Sequence, residues 1–133
     1  MPDASGDKKK IVIVEDDRFL SLVLKSRLEK EGYEVVPAYD GAEGLELIKK
    51  ELPALVVLDL VMPKMSGFEV LQKISTDPQV SSIPIVVASN LGQESDIQKA
   101  KSMGVRDYYV KVQTSVDDLV KIFRTIVETG KNS

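Results

Sequence analysis

The chain of 133 residues contains no cysteine, no histidine and no tryptophan. Without cysteine there are no disulfides, and cysteine usage says nothing of the redox compartment. The joint absence of histidine and cysteine argues against zinc sites and against Ser-His or Cys-His triads. Any metal must then be a hard cation held by oxygen. Long apolar runs are missing as well. The longest, near 54–58 and 83–88, fall far short of the about 20 residues that span a bilayer. The N-terminus has no apolar signal-like core, so the expectation is a cytoplasmic protein with no membrane partner. A net charge of −3 gives no reason to expect nucleic acid binding, and the lone basic run, Lys8 to Lys10, reads as solvated. What is present is ordinary for a soluble domain: 43% apolar and 29% charged residues. The expected organisation is a disordered tail over 1–8, one domain over 9–129 and a short tail over 130–133.

Hydrophobic periodicity divides that domain into five strands and five helices. The segments "KIVIVEDD", "YEVVPA", "ALVVLD", "IPIVVAS" and "RDYYVK" are short and mostly β-branched. The unbroken apolar run of "KIVIVEDD" is the mark of a strand buried on both faces. Between them lie helical stripes. Leu20, Val23, Leu24 and Leu28 share one face of a helix that stops at Gly32. Asp40 with Glu43, Ser66 with Glu69, and Ser115 with Asp118 stand at helix starts. The last helix repeats Val116, Leu119, Val120, Phe123 and Val127, whereas the helix over 93–103 offers little beyond Ile97 and Ala100. That helix is expected to be weakly held. Alternation of this kind predicts an α/β fold, a doubly wound parallel sheet.

Ligands of such sheets bind beyond the carboxyl ends of the strands. Those ends carry Glu15, Asp16 and Asp17, then Asp59, then Ser89 and Asn90, and finally Lys111. Glu15, Asp16 and Asp59 would crowd negative charge, which costs stability unless a cation intervenes. A carboxylate cluster without histidine or cysteine suits Mg²⁺. These parts fit phosphoryl transfer onto a carboxylate, with Asp59 as nucleophile.

The stretches "VEDD", "LVVLDLVMPKMSG", "IPIVVAS" and "DYYVK", in this order and spacing, resemble the receiver domain of bacterial response regulators over about residues 9–128. The resemblance implies a flavodoxin-like sheet in the order 2-1-3-4-5. It implies Asp59 as phospho-acceptor, Mg²⁺ held by Glu15, Asp16, Asp59 and the carbonyl of Val61, and Lys111 as the family's lysine. Ser89 takes the place of the switch hydroxyl, and Tyr108 that of an aromatic expected to move inward on phosphorylation. It also implies a sensor histidine kinase or histidine phosphotransfer protein as donor. An unidentified protein target would read the signal from the 93–129 face. Three positions depart from the family's usual pattern: Val112 stands where proline is usual, Asn90 where a small residue is usual, and Ser89 where threonine is commoner. A trans peptide is expected at Lys111-Val112. A dehalogenase-like phosphatase would need a second aspartate where Val61 stands, and a flavin binder would need a phosphate loop where "EDDR" stands. The remaining alternative is a degenerate receiver that binds partners without phosphorylation.

Overall fold

The computed structural model describes residues 8–130. The tails expected over 1–8 and 130–133 lie, apart from Lys8 and Gly130, outside the described residues. Five strands alternate with five helices: β1 (Lys10–Val14), α1 (Arg18–Lys30), β2 (Glu34–Ala38), α2 (Gly41–Glu51), β3 (Leu55–Leu58), α3 (Gly67–Ser75), β4 (Ile85–Ser89), α4 (Glu94–Ser102), β5 (Asp107–Val110) and α5 (Val116–Thr129). A 3₁₀ turn over Lys111–Gln113 joins β5 to α5. The sheet is parallel throughout, in the order β2-β1-β3-β4-β5.

Alternate residues of each central strand point into two different cores. Val12, Val14, Val56 and Leu58 meet Leu45 and Ile48 of α2, Val70, Leu71 and Ile74 of α3, and Ala100 of α4. Ile11, Ile13, Leu55 and Val57 meet Leu24 and Leu28 of α1 and the buried stripe of α5. Both faces are covered, which is why β1 and β3 read as unbroken apolar runs. Pro37 is tolerated because β2 is an edge strand.

The helices are held unequally. Leu119, Val120, Phe123, Ile126 and Val127 of α5 are all buried, and each such side chain contributes about 1.5–3 kcal/mol. Only Ala100 of α4 is buried, and Gln93 at its start makes no side-chain capping bond. Ser66, Asp40 and Ser115 accept from the backbone N–H three residues on, as their helix starts require. Two glycines allow close approach beside the strand ends. A Cβ at Gly67 would lie 2.4 Å from the Asp59 carbonyl oxygen, and one at Gly41 would lie 2.0 Å from that of Met65.

Candidate functional site

Each polar group at the rim is placed by the strand it follows. Asp59 comes one residue after β3, and its N–H still donates to the Val14 carbonyl, so its backbone continues the sheet. The loop beyond turns sharply: the Met65 N–H donates to the Pro63 carbonyl, and Lys64 adopts a left-handed conformation at φ 68°. Gly67 packs this turn onto the backbone of Asp59 and Leu60. The carboxylate is thereby buried at 6% exposure. Its Oδ1 accepts from the Val61 N–H at 3.3 Å.

The three consecutive acids after β1 divide into three environments. Glu15 is buried, with Oε2 accepting from the Asp17 N–H. Asp16 is exposed. Asp17 is the N-cap of α1, its Oδ1 accepting from the N–H groups of Phe19 and Leu20. One carboxylate oxygen each from Glu15, Asp16 and Asp59 lies within 4.8 Å of the others.

Lys111, at the end of β5, reaches back across the sheet. Its Nζ lies 2.6 Å from Glu15 Oε1 and donates to Asp59 Oδ2 at 3.0 Å. Burial alone would lower the ammonium's pKa, but the bond to Glu15 and the charge of Asp59 outweigh it and hold it above its ordinary value. For Glu15 burial wins over the bond from Lys111, and its carboxyl is pushed up to about 7.

Ser89 ends β4 fully buried, and its Oγ accepts from the Leu91 N–H. Tyr108 lies on β5 with its ring buried, and its hydroxyl donates to the Leu91 carbonyl. The aromatic expected to move inward is therefore already turned in. All peptide bonds among the described residues are trans, Lys111-Val112 included.

Six of the seven site residues read from the sequence line one open cleft of about 410 Å³: Glu15, Asp16, Asp59, Val61, Ser89 and Lys111. Tyr108 is absent from its lining and connects to it through Leu91. The donor set suits a hard cation, since it offers clustered carboxylate oxygens with no nitrogen or sulfur ligand. Two features went unforeseen. The capping role of Asp17 was signalled by its place just before the α1 stripe. The other is a bond in which Asn90 Oδ1 accepts from the Val112 N–H at 3.1 Å, which no local pattern announces.

A doubly wound sheet whose central strand presents a buried aspartate between acids and a lysine defines a class of molecular switch. The family model for the response regulator receiver domain matches residues 11–124, and the chain belongs to this family. It is 42% identical over 105 residues to the probable transcriptional regulator ycf27 of Cyanophora paradoxa, covering 79% of this chain and 43% of that protein. It is 35% identical over 102 residues to the protein PilH of Pseudomonas aeruginosa, covering 77% of this chain and 84% of PilH. The solved Mn²⁺-bound form of response regulator Rcp1 superposes with a TM-score of 0.77 at 28% identity, covering 92% of this chain and 94% of that one. The chain spans only 40–43% of the length of the ycf27 relatives. Among the described residues no helix is long and apolar enough to cross a membrane.

Proposed function

We propose that the chain is a phosphorylation-controlled switch of a two-component system, and that Asp59 accepts the phosphoryl group. One observation carries this reading: a buried aspartate at a strand end shares one half-buried lysine with Glu15, on the floor of an open acidic cleft. The donor is the phosphohistidine of a partner kinase or phosphotransfer protein. An Asp59 carboxylate oxygen attacks phosphorus, the P–O bond forms, and the P–N bond breaks with its electron pair returning to the imidazole. Exposed apolar side chains near the cleft suit such a docked partner. Val61 lines the cleft, Val112 follows Lys111, and Phe19 and Leu22 share one face of α1.

Glu15, Asp16, Asp59 and the Val61 carbonyl would hold Mg²⁺, with Asp16 the member open to solvent. When bound, the ion neutralises charge on the phosphoryl oxygens. Lys111 presents its ammonium at Asp59 Oδ2, close enough to the carboxylate to offset charge on a phosphoryl group joined to it. Ser89, one residue before the β4–α4 loop, supplies the hydroxyl that senses the modification. Weakly anchored α4 is the element most easily displaced, so α4, β5 and α5 form the output face. The domain acts on itself, catalysing its own phosphorylation and dephosphorylation, and passes the signal on by binding a protein target.

Incubation with a small phosphodonor and Mg²⁺, followed by intact-mass measurement, tests the assignment. One phosphoryl group is expected, and Asp59→Asn should take none. Equal labelling of that variant would move the acceptor elsewhere. A parent chain that stays unlabelled and shows no millimolar-range Mg²⁺ binding would favour the phosphorylation-independent module instead.

A further inference from the structure

Two groups at the cleft stand at the ends of different strands, Ser89 as the last residue of β4 and Lys111 as the first after β5, yet the residues that follow them are joined. The Asn90 side-chain oxygen accepts from the Val112 N–H at 3.1 Å, across 22 positions of chain. On the same loop, the Leu91 carbonyl accepts from the Tyr108 hydroxyl, and the Leu91 N–H donates to Ser89 Oγ. The β4–α4 loop is thus pinned to the end of β5 at two points. One pin is made by a β5 side chain and the other by a loop side chain. Both Asn90 and Val112 are exposed, so this bond contributes little to the core. Its geometric effect is specific, because it fixes the peptide unit directly after Lys111. It also needs both residues as they are. A proline at 112 would have no N–H to give, and an apolar residue at 90 would have no oxygen to receive it.

We infer that Asn90 is a positioning residue, whose side chain clamps the Ser89 loop to the Lys111 turn so that hydroxyl and ammonium move as one unit around Asp59. The clamp rests on the reading of Asp59 as phospho-acceptor. In its absence the turn that carries Lys111 is held against the β4–α4 loop by the Tyr108 bond to Leu91 and by the β4–β5 pairing. The lysine then samples positions away from Asp59, and phosphoryl transfer slows. Bulk at position 90 could also act simply by narrowing the cleft, which Asn90 lines. The two effects have opposite consequences, and side-chain shape separates them.

Asn90→Leu keeps the size and removes the acceptor, and Asn90→Ala removes both. If the clamp operates, both variants take up phosphoryl groups from a small phosphodonor more slowly than the parent, by roughly three- to tenfold, the scale of one hydrogen bond. Asn90→Leu should add no further slowing in a Val112→Pro background, where the N–H is already missing. In all of these the melting temperature should stay close to the parent's. Amide exchange supplies a readout independent of phosphorylation. The Val112 N–H should be protected in the parent and in Asn90→Asp, which keeps the oxygen, and unprotected in Asn90→Leu. A faster Asn90→Ala with an unchanged Asn90→Leu would overturn the clamp in favour of bulk. An unprotected Val112 amide in the parent would overturn it too. A parent that takes no phosphoryl group would instead sink the acceptor reading, while the exchange data would still report on the clamp.

Discussion

Lys111→Met removes the one ammonium that two buried carboxylates share. Side-chain exposure is 14% for Lys111, 5% for Glu15 and 7% for Asp59, so little water is available to replace it. Methionine keeps the unbranched stem and deletes the charge. Breaking a buried pair by removing one partner costs about 3–5 kcal/mol, because the other charge is left unpaired. The cleft is open and Glu15 can take up a proton near neutrality, so the low end applies, about 3 kcal/mol. For a domain of this size that corresponds to a fall of about 10 °C in Tm. The pH dependence has a definite sign. Folding raises the Glu15 pKa from 4.5 to about 7, so the folded state holds a proton that the unfolded state has released. This contribution to stability therefore falls as pH rises through that window. Without Lys111 the carboxyl is pushed higher, and the loss extends above pH 7. The variant should recover part of its deficit as pH is lowered from about 8 to about 6. A cation bound only by the folded state adds about 2.7 kcal/mol at a hundredfold excess over its Kd. Carboxylates no longer shared with an ammonium should bind Mg²⁺ more tightly, so Mg²⁺ should raise the variant's Tm by more than the parent's. Thermal melts in chelator and in Mg²⁺, at both pH values, provide the assay. A variant that melts with the parent in chelator at the higher pH would refute the shared-charge argument. So would a smaller Mg²⁺ shift.

Gly67→Ala would place a Cβ 2.4 Å from the Asp59 carbonyl oxygen and 2.6 Å from Leu60 Cα, both backbone atoms that cannot swing aside. The expected cost is about 1–3 kcal/mol in urea unfolding, with slower labelling of Asp59, and parental stability would show that the close approach is not required. Val61 and Leu91 line the cleft, and neither can hydrogen-bond a water attacking the acyl phosphate. The Val61→Asn, Leu91→Glu double variant should therefore lose its phosphoryl group faster, by about three- to tenfold, and an unchanged decay rate would mean that these side chains merely pack on the loops.

The doubly wound architecture was legible because burial on two faces leaves a strand almost no freedom of composition. Ile11 and Ile13 serve one core while Val12 and Val14 serve the other, so the run between Lys10 and Glu15 has to be apolar throughout. Strand order was not written in that pattern. By burial alone β1, β3 and β4 are interchangeable, whereas Pro37 in β2 and the incomplete burial of β5 mark the two edges. The order came with the family resemblance. The site behaved in the same way. That these residues gather was legible, because polar groups one residue past buried strands are either functional or costly. The division of labour was hidden. Glu15, Asp16 and Asp17 are consecutive and chemically alike, yet one meets Lys111, one faces water and one caps α1. The strand ends where its pairing ends, and that fixes which carboxylate turns inward. Asn90 and Val112 carry no reactive group, so nothing local pairs them. The outcome is one hydrogen-bonded unit drawn from four strand ends. Glu15 and Asp59 are joined through Lys111, the peptide after Lys111 is joined to Asn90, and the next residue, Leu91, is joined to Ser89 and Tyr108. Substitutions within such a unit do not add as independent terms. A double-mutant cycle between Asn90 and Lys111 should accordingly give a non-zero coupling in the rate of phosphoryl uptake, and additive effects would show that the exposed rim and the buried aspartate act separately.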